Sequence, residues 1–156
     1  MDKFTQIESK RLVYRGITRD DADAIVKWRS NPANYRNFFS GRAITLEEHL
    51  AWFERYLDDE TRYDFMIFDA EGQRIGTVGI SELCDESCEV NYMIGELSAR
   101  GKGYAREAVE AISRFAVVEL GVKHVDARIL AGNDASIRVA QSAGYELYEL
   151  VYRFEG

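Results

Sequence analysis

At 156 residues the chain has the length of one domain and can bury a real core. Hydrophobic residues make up 46% and charged residues 30%, a globular balance rather than a disordered or membrane-like one. The formal net charge of -7 disfavours a general nucleic-acid binder, which needs clustered Lys and Arg, but leaves room for one small anionic ligand in a local positive pocket. No apolar run approaches the ~20 residues of a membrane span, and the N-terminus lacks a signal peptide's apolar segment. A cytoplasmic protein without a membrane or nucleic-acid partner is the expectation.

In chain order, Arg11 to Gly16 alternates as a first strand. After the turn at Thr18–Asp21, the residues Ala22, Ile25, Val26 and Trp28 have helical spacing, and Asn31-Pro32 stops that helix. Thr45 and Glu48 form a capping box for a second helix, whose apolar stripe runs through Leu46, Leu50, Trp52, Phe53, Tyr56 and Leu57. From Asp64 the period falls to two, giving strands over 64–69, 74–83 and 88–95 around turn residues. Ala105 to Leu120 reads as a long helix with apolar Ala108, Val109, Ile112, Phe115, Ala116 and Val117, closed by Gly121. A strand over 124–130, a short helix over 135–143 and a last strand over 145–154 complete a mixed α/β pattern. With no linker or repeat, residues 1–156 make a single domain.

Cys84 and Cys88 are the two cysteines, and His49 and His124 lie far from them in sequence. A zinc site would lack ligands, so no metal is expected.

The chemistry concentrates in Arg100-Gly101-Lys102-Gly103-Tyr104-Ala105. A glycine-bearing basic turn between a strand and a long helix is an anion site, because the first helical turn leaves N–H groups unpaired and its dipole favours negative charge. Gly101 and Gly103 let a phosphate approach the backbone, and Arg100, Lys102 and Arg106 add positive charge. No Gly-Lys-Ser/Thr follows, so this is not a P-loop, and the third glycine of the dinucleotide fingerprint is missing.

These residues resemble the pyrophosphate signature of the GNAT superfamily of N-acetyltransferases, Gln/Arg-x-x-Gly-x-Gly/Ala, through Arg100, Gly103 and Ala105. The order of elements is similar to that family's along nearly the whole chain. Asn133-Asp134-Ala135-Ser136-Ile137 followed by Ala143-Gly144-Tyr145 resembles its downstream segment. The resemblance implies a mostly antiparallel central sheet flanked by helices, in which the strands containing Tyr92 and Ala127 splay apart. It implies acetyl-CoA as co-substrate, with the backbone of Met93, Ile94 and Gly95 pairing with its pantetheine arm. Arg100 to Ala105 would hold the pyrophosphate, and Asn133 would contact the cofactor near the pantetheine.

Acetyl transfer to an amine needs a proton acceptor, N–H donors facing the carbonyl oxygen, and a proton donor for the leaving thiolate. The branch acting on ribosomal-protein alanine uses a glutamate and a tyrosine at positions that hold Arg128 and Ala140 here. Glu89 is the candidate base in their place, or else a solvated strand-end carboxylate. Ser136 is the candidate donor, or else the cap of its helix, and Tyr92 and Tyr145 are further donors or core residues. A single strand after Gly144 leaves a short sheet edge, which a homodimer would complete.

The segments Lys27–Pro32 and Ile44–Phe53 resemble the pseudaminic-acid-pathway acetyltransferases, which acetylate a UDP-linked amino sugar. On that reading Arg29 and Arg42 meet phosphates, Trp28 or Trp52 stacks on a ring, and His49 orients a hydroxyl or accepts a proton. Otherwise the tryptophans are core and His49 is a polar helix residue. A protein N-terminal amine is the alternative acceptor, and a catalytically silent acetyl-CoA-binding module is the alternative of another class.

Overall fold

A computed structural model describes residues 1–156. Six strands form one sheet in sequence order: β1 (Gln6–Glu8), β2 (Val13–Gly16), β3 (Tyr63–Phe68), β4 (Arg74–Ser81), β5 (Ser87–Ile94) and β6 (His124–Asp126). Every neighbouring pair is antiparallel except β5 and β6. The mixed α/β architecture and the splayed parallel pair are as expected.

Helices cover both faces, because alternation along the strands gives the sheet two apolar sides. On one side α4 (Tyr104–Glu119) buries Ala108, Val109, Ile112 and Ala116 against Tyr14, Phe65, Val78 and Val90. Phe115 meets Phe65 edge to face at 6.2 Å, while Val117, expected in this stripe, is 46% exposed. On the other side α1 (Ala22–Arg29) and α3 (Leu46–Leu57) pack Ile25, Trp28, Phe53 and Tyr56 onto Met66 and Met93.

Thr45 caps α3 by accepting from the Glu48 N–H at 3.1 Å, but the Glu48 carboxylate accepts from Arg42 and does not complete the expected capping box. The helix is rotated from its expected stripe, however. Its buried residues are His49, Phe53 and Tyr56, whereas Leu46 and Leu57 are exposed. The i, i+4, i+7 set that faces the sheet thus includes a histidine, and this rotation carries it to the site described below.

Asn31-Pro32 ends α1 and also starts a new turn. The Asn31 side chain accepts from the Ala33 N–H, Pro32 takes the first helical position, and α2 (Pro32–Tyr35) forms. The last helix, α5 (Asp134–Ser142), is capped by Asn133 and not by Ser136.

The largest departure is at the C-terminus. Residues 145–156 form no strand, and Leu147, Tyr148, Val151, Tyr152 and Phe154 are exposed. A strand is a property of a pair: β6 stops at Asp126, so the alternating tail has no adjoining ladder to join. β1 went unexpected for the opposite reason. Its three residues include one apolar side chain, Ile7, and the pairing with β2 alone makes it a strand.

Candidate functional site

Strand β5 is the spine of the site. On one side it pairs with β4 along its length, from Ser81↔Glu89 to Gly76↔Ile94. On the other side its pairing with β6 stops at Glu89↔Asp126. Beyond that register the two strands part, leaving the β5 edge from Val90 to Ile94 without a strand neighbour. A cavity of about 190 Å³ opens there, lined by Val90, Tyr92, Ala127, Asn133, Ser136 and Ala140 among others.

At the far end of β5 the chain passes into the basic turn. Gly101 and Gly103 have φ of 74° and 79°, the left-handed region that glycine tolerates, and Gly103 is the N-cap of the 16-residue α4. The first backbone bond of this helix runs from the Glu107 N–H to the Gly103 carbonyl. The N–H groups of residues 101–106 therefore have no acceptor within the chain, which is what an anion at a helix N-terminus needs. Arg100 is engaged elsewhere. Its N–H donates to the Leu97 carbonyl, and its guanidinium to the Ile94 carbonyl and to Asn34 Oδ1. Arg106 pairs with Glu110 at 2.7 Å.

Met93, Ile94 and Gly95 sit at the end of β5 with buried side chains for the first two. The Gly95 N–H is taken by the Ile75 carbonyl at 2.9 Å. A Cβ on Gly95 would come within 2.2 Å of the Trp28 ring, so glycine is required for that indole to lie across the strand end. Trp28 is 3% exposed and donates through Nε1 to Glu96 at 2.8 Å. It fastens α1 to the strand and does not line either cavity.

A second cavity, of about 290 Å³, lies under α1 and α3. Arg29, His49, Trp52, Arg62, Asp64 and Asn91 are among its walls. Asn91, Tyr92 and Phe38 line both cavities, so the two spaces meet at the middle of β5. Arg62 and Asp64 pair at 2.6 Å. Arg29 makes no ion pair or hydrogen bond, its Nε is buried without a partner, and its guanidinium lies 5.5 Å from the centre of the Phe38 ring. Burial and then the charge of Arg62 pull its pKa down. His49 is 4% exposed, and its Nε2 is buried without a partner. Burial first, and the charge of Arg29 second, lower its pKa below the usual 6.5, so at neutral pH it is a neutral imidazole.

The two catalytic candidates fall in different surroundings. Tyr92 donates its hydroxyl to Ser136 Oγ at 2.9 Å, spanning the gap from β5 to α5, and burial raises its pKa so that it stays protonated. Asn133 accepts from the Ser136 N–H at 3.2 Å and so fixes the serine's backbone. Glu89 is an ion-pair partner of Arg128 at 3.0 Å and lines neither cavity. Arg42 pairs with Glu48, and Tyr145 shares a hydrogen bond with Ser113, away from the gap. Sequence reasoning missed Arg62, Asp64 and Asn91, since nothing local marks a strand residue as facing a cavity.

A cavity where β5 and β6 part, joined to a second that can hold another molecule, with a turn of unpaired N–H groups following β5, fits the plan of a group-transfer enzyme. The Acetyltransferase (GNAT) domain family matches residues 11–146, and the chain belongs to it, a family of acetyl-CoA-dependent N-acetyltransferases. Among its relatives, an uncharacterised Methanocaldococcus jannaschii protein is 31% identical over 89% of this chain. The human alpha/beta-tubulin-N-acetyltransferase 9 is 32% identical over 66% of it. The chain spans 29% of the first and 56% of the second. Acetyltransferase PseH of Campylobacter jejuni is 27% identical over 85% of this chain and 82% of its own. A crystal structure of a domain from M. jannaschii superposes with a TM-score of 0.78 at 31% identity, covering 89% of this chain and 90% of that one. The spermidine N-acetyltransferase of Vibrio cholerae, solved with CoA and spermine, superposes at 0.83 with 21% identity, covering 92% and 86%, a likeness of fold. No helix is long and apolar enough to cross a membrane.

Proposed function

We propose that this protein transfers an acetyl group from acetyl-CoA to the amine of a small acceptor that carries an anionic group, a nucleotide-linked amino sugar being the best fit. The observation that carries this reading is Arg29: a partly buried cation in the second cavity with no carboxylate partner. Asp64, whose charge reaches Arg29, is already paired with Arg62, so the two cations outnumber it, and an anionic ligand would offset that excess. A polyamine would instead bring further positive charge against Arg29 and Arg62. The resemblance of the Arg29 and His49 segments to amino-sugar acetyltransferases, and the 27% identity with PseH, support the same acceptor class.

Acetyl-CoA supplies an activated acetyl thioester when bound. The free N–H groups of residues 101–106 and the charge of Lys102 would hold its pyrophosphate. The unpaired β5 edge from Val90 to Ile94, including Met93, would take the pantetheine amides, with Asn133 across the gap. His49, neutral and lining the second cavity, accepts the proton of the incoming amine in this proposal. Ser136 then gives its hydroxyl proton to the leaving sulfur. The serine would take the Tyr92 hydroxyl proton along their hydrogen bond as it gives up its own, and the tyrosine would regain a proton from solvent. Glu89, turned to Arg128, has a weaker claim as the base.

A second reading, acetylation of a protein N-terminus, is favoured by the 32% identity with a tubulin N-acetyltransferase. Incubating the protein and acetyl-CoA with a UDP-amino sugar, an N-terminal peptide and spermidine, and following product mass, separates the classes. Preferential acetylation of the sugar nucleotide is expected, whereas preference for spermidine would overturn the reading.

A further inference from the structure

The pyrophosphate turn poses a mechanical question. A Cβ on Gly101 would meet nothing within 4 Å, so packing does not hold the turn at that residue, although Tyr104 and Ala105 beyond it pack against the core. Its two glycines are also the residues freest to move. The turn is instead held from a distant part of the chain. Arg11, just before β2, donates through Nη1 to the Lys102 carbonyl at 2.8 Å and through Nε to Glu107 Oε2 at 2.7 Å. Its backbone N–H reaches Glu107 Oε1 at 2.7 Å, and its guanidinium lies 4.6 Å from the centre of the Tyr104 ring. Ser9 Oγ adds a bond to Glu107 Oε1 at 2.7 Å.

Glu107 makes this network more than a brace. Its carboxylate stands in the first turn of α4, beside the N–H groups that an incoming pyrophosphate needs. Uncompensated, it would compete with the ligand for the positive end of the helix and repel it. Arg11 neutralises it with two charge-assisted bonds, and the same guanidinium pins the carbonyl between the two glycines.

We infer that Arg11 is a positioning residue for the cofactor: it cancels Glu107 and holds the Lys102 carbonyl, so that the N–H groups of residues 101–106 present themselves to a pyrophosphate. Burial would push the Glu107 carboxyl up, but the bonds from Ser9 and Arg11 outweigh it and leave the pKa lowered, consistent with a carboxylate held ionised. The inference rests on the reading of the turn as the acetyl-CoA site.

The test is calorimetric titration with acetyl-CoA of the wild type, Arg11→Met, and Arg11→Met combined with Glu107→Gln, with thermal unfolding of each. Arg11→Met is expected to weaken acetyl-CoA binding about tenfold, the scale of a lost charge-assisted contact. Removing the orphaned acid in the double variant should recover about threefold of it, although another hydrogen-bond acceptor has gone. A general packing defect would not be repaired by a second deletion. Unchanged affinity in Arg11→Met, or no recovery in the double variant, overturns the inference. A wild type that does not bind acetyl-CoA sinks the cofactor reading and this with it. Should Arg11→Met fail to fold, Arg11→Lys keeps the charge beside Glu107 but cannot reach both partners, and an unchanged affinity there is equally fatal.

Discussion

Tyr92 on β5 and Ser136 on α5 are joined hydroxyl to hydroxyl at 2.9 Å across the gap that opens when β5 and β6 part. The tyrosine is the donor, which leaves the serine proton unassigned to any partner in the chain. Ser136→Ala should therefore lower kcat by about a hundredfold, the usual scale of a lost general acid, with acetyl-CoA affinity unchanged. Tyr92→Phe should cost about tenfold, and the double variant little more than Ser136→Ala, as residues acting as one unit do. Equal and additive losses would separate the two hydroxyls.

Gly103 carries φ 79° at the N-cap of α4. Glu in its place would add a carboxylate where the pyrophosphate is to bind and strain a left-handed position by about 1 to 2 kcal/mol. The folded variant should lose acetyl-CoA binding by at least about a hundredfold in calorimetry. Binding within a few-fold of wild type would move the phosphate site away from this turn.

His49 titrates in a direction that can be read twice. Its folded pKa is lowered, mainly by burial, so the unfolded chain binds the proton more readily. Its contribution to stability is complete above about pH 6.5, the unfolded value, and is lost as pH falls toward the lower folded value. Thermal unfolding between pH 7 and pH 5 should therefore show a loss of stability that is smaller in His49→Asn. Turnover of that variant should fall at neutral pH, and its acid limb, set in the wild type by protonation of the base, should disappear. An unchanged rate profile would remove His49 from the chemistry.

Glu89 and Arg128 form a partly exposed pair, with side chains 25% and 71% accessible. Such pairs contribute about 0 to 1 kcal/mol. Glu89→Gln should keep kcat within about threefold, because a residue outside both cavities is not asked to move the amine proton. A hundredfold loss with acetyl-CoA affinity intact would return the base to Glu89.

The parts of this site that sequence exposed are those whose logic is local. Gly103 with the long apolar stripe of α4 needs no partner to be recognised, and Arg29 and His49 were reached through the resemblance of their segments to amino-sugar acetyltransferases. What stayed hidden depends on long-range contact. Arg11 and Glu107 are 96 residues apart in sequence, and nothing near either one signals the other. The role of Trp28 became clear only with its ring laid on Gly95. The rotation of α3 was misread because Leu46 and Leu57 obey the helical period as well as the buried set does, and only the sheet beneath decides between them. The tail after Gly144 alternates like a strand, but β6 is too short to receive it.

The acceptor claim turns on Arg29, and one comparison reaches it directly: kcat/KM for a phosphate-bearing amino sugar and for the same sugar without phosphate, in the wild type and in Arg29→Met. The wild type should favour the phosphorylated acceptor by about a hundredfold, and Arg29→Met should remove most of that preference. A wild type indifferent to the phosphate, or a preference that survives the loss of Arg29, would contradict it.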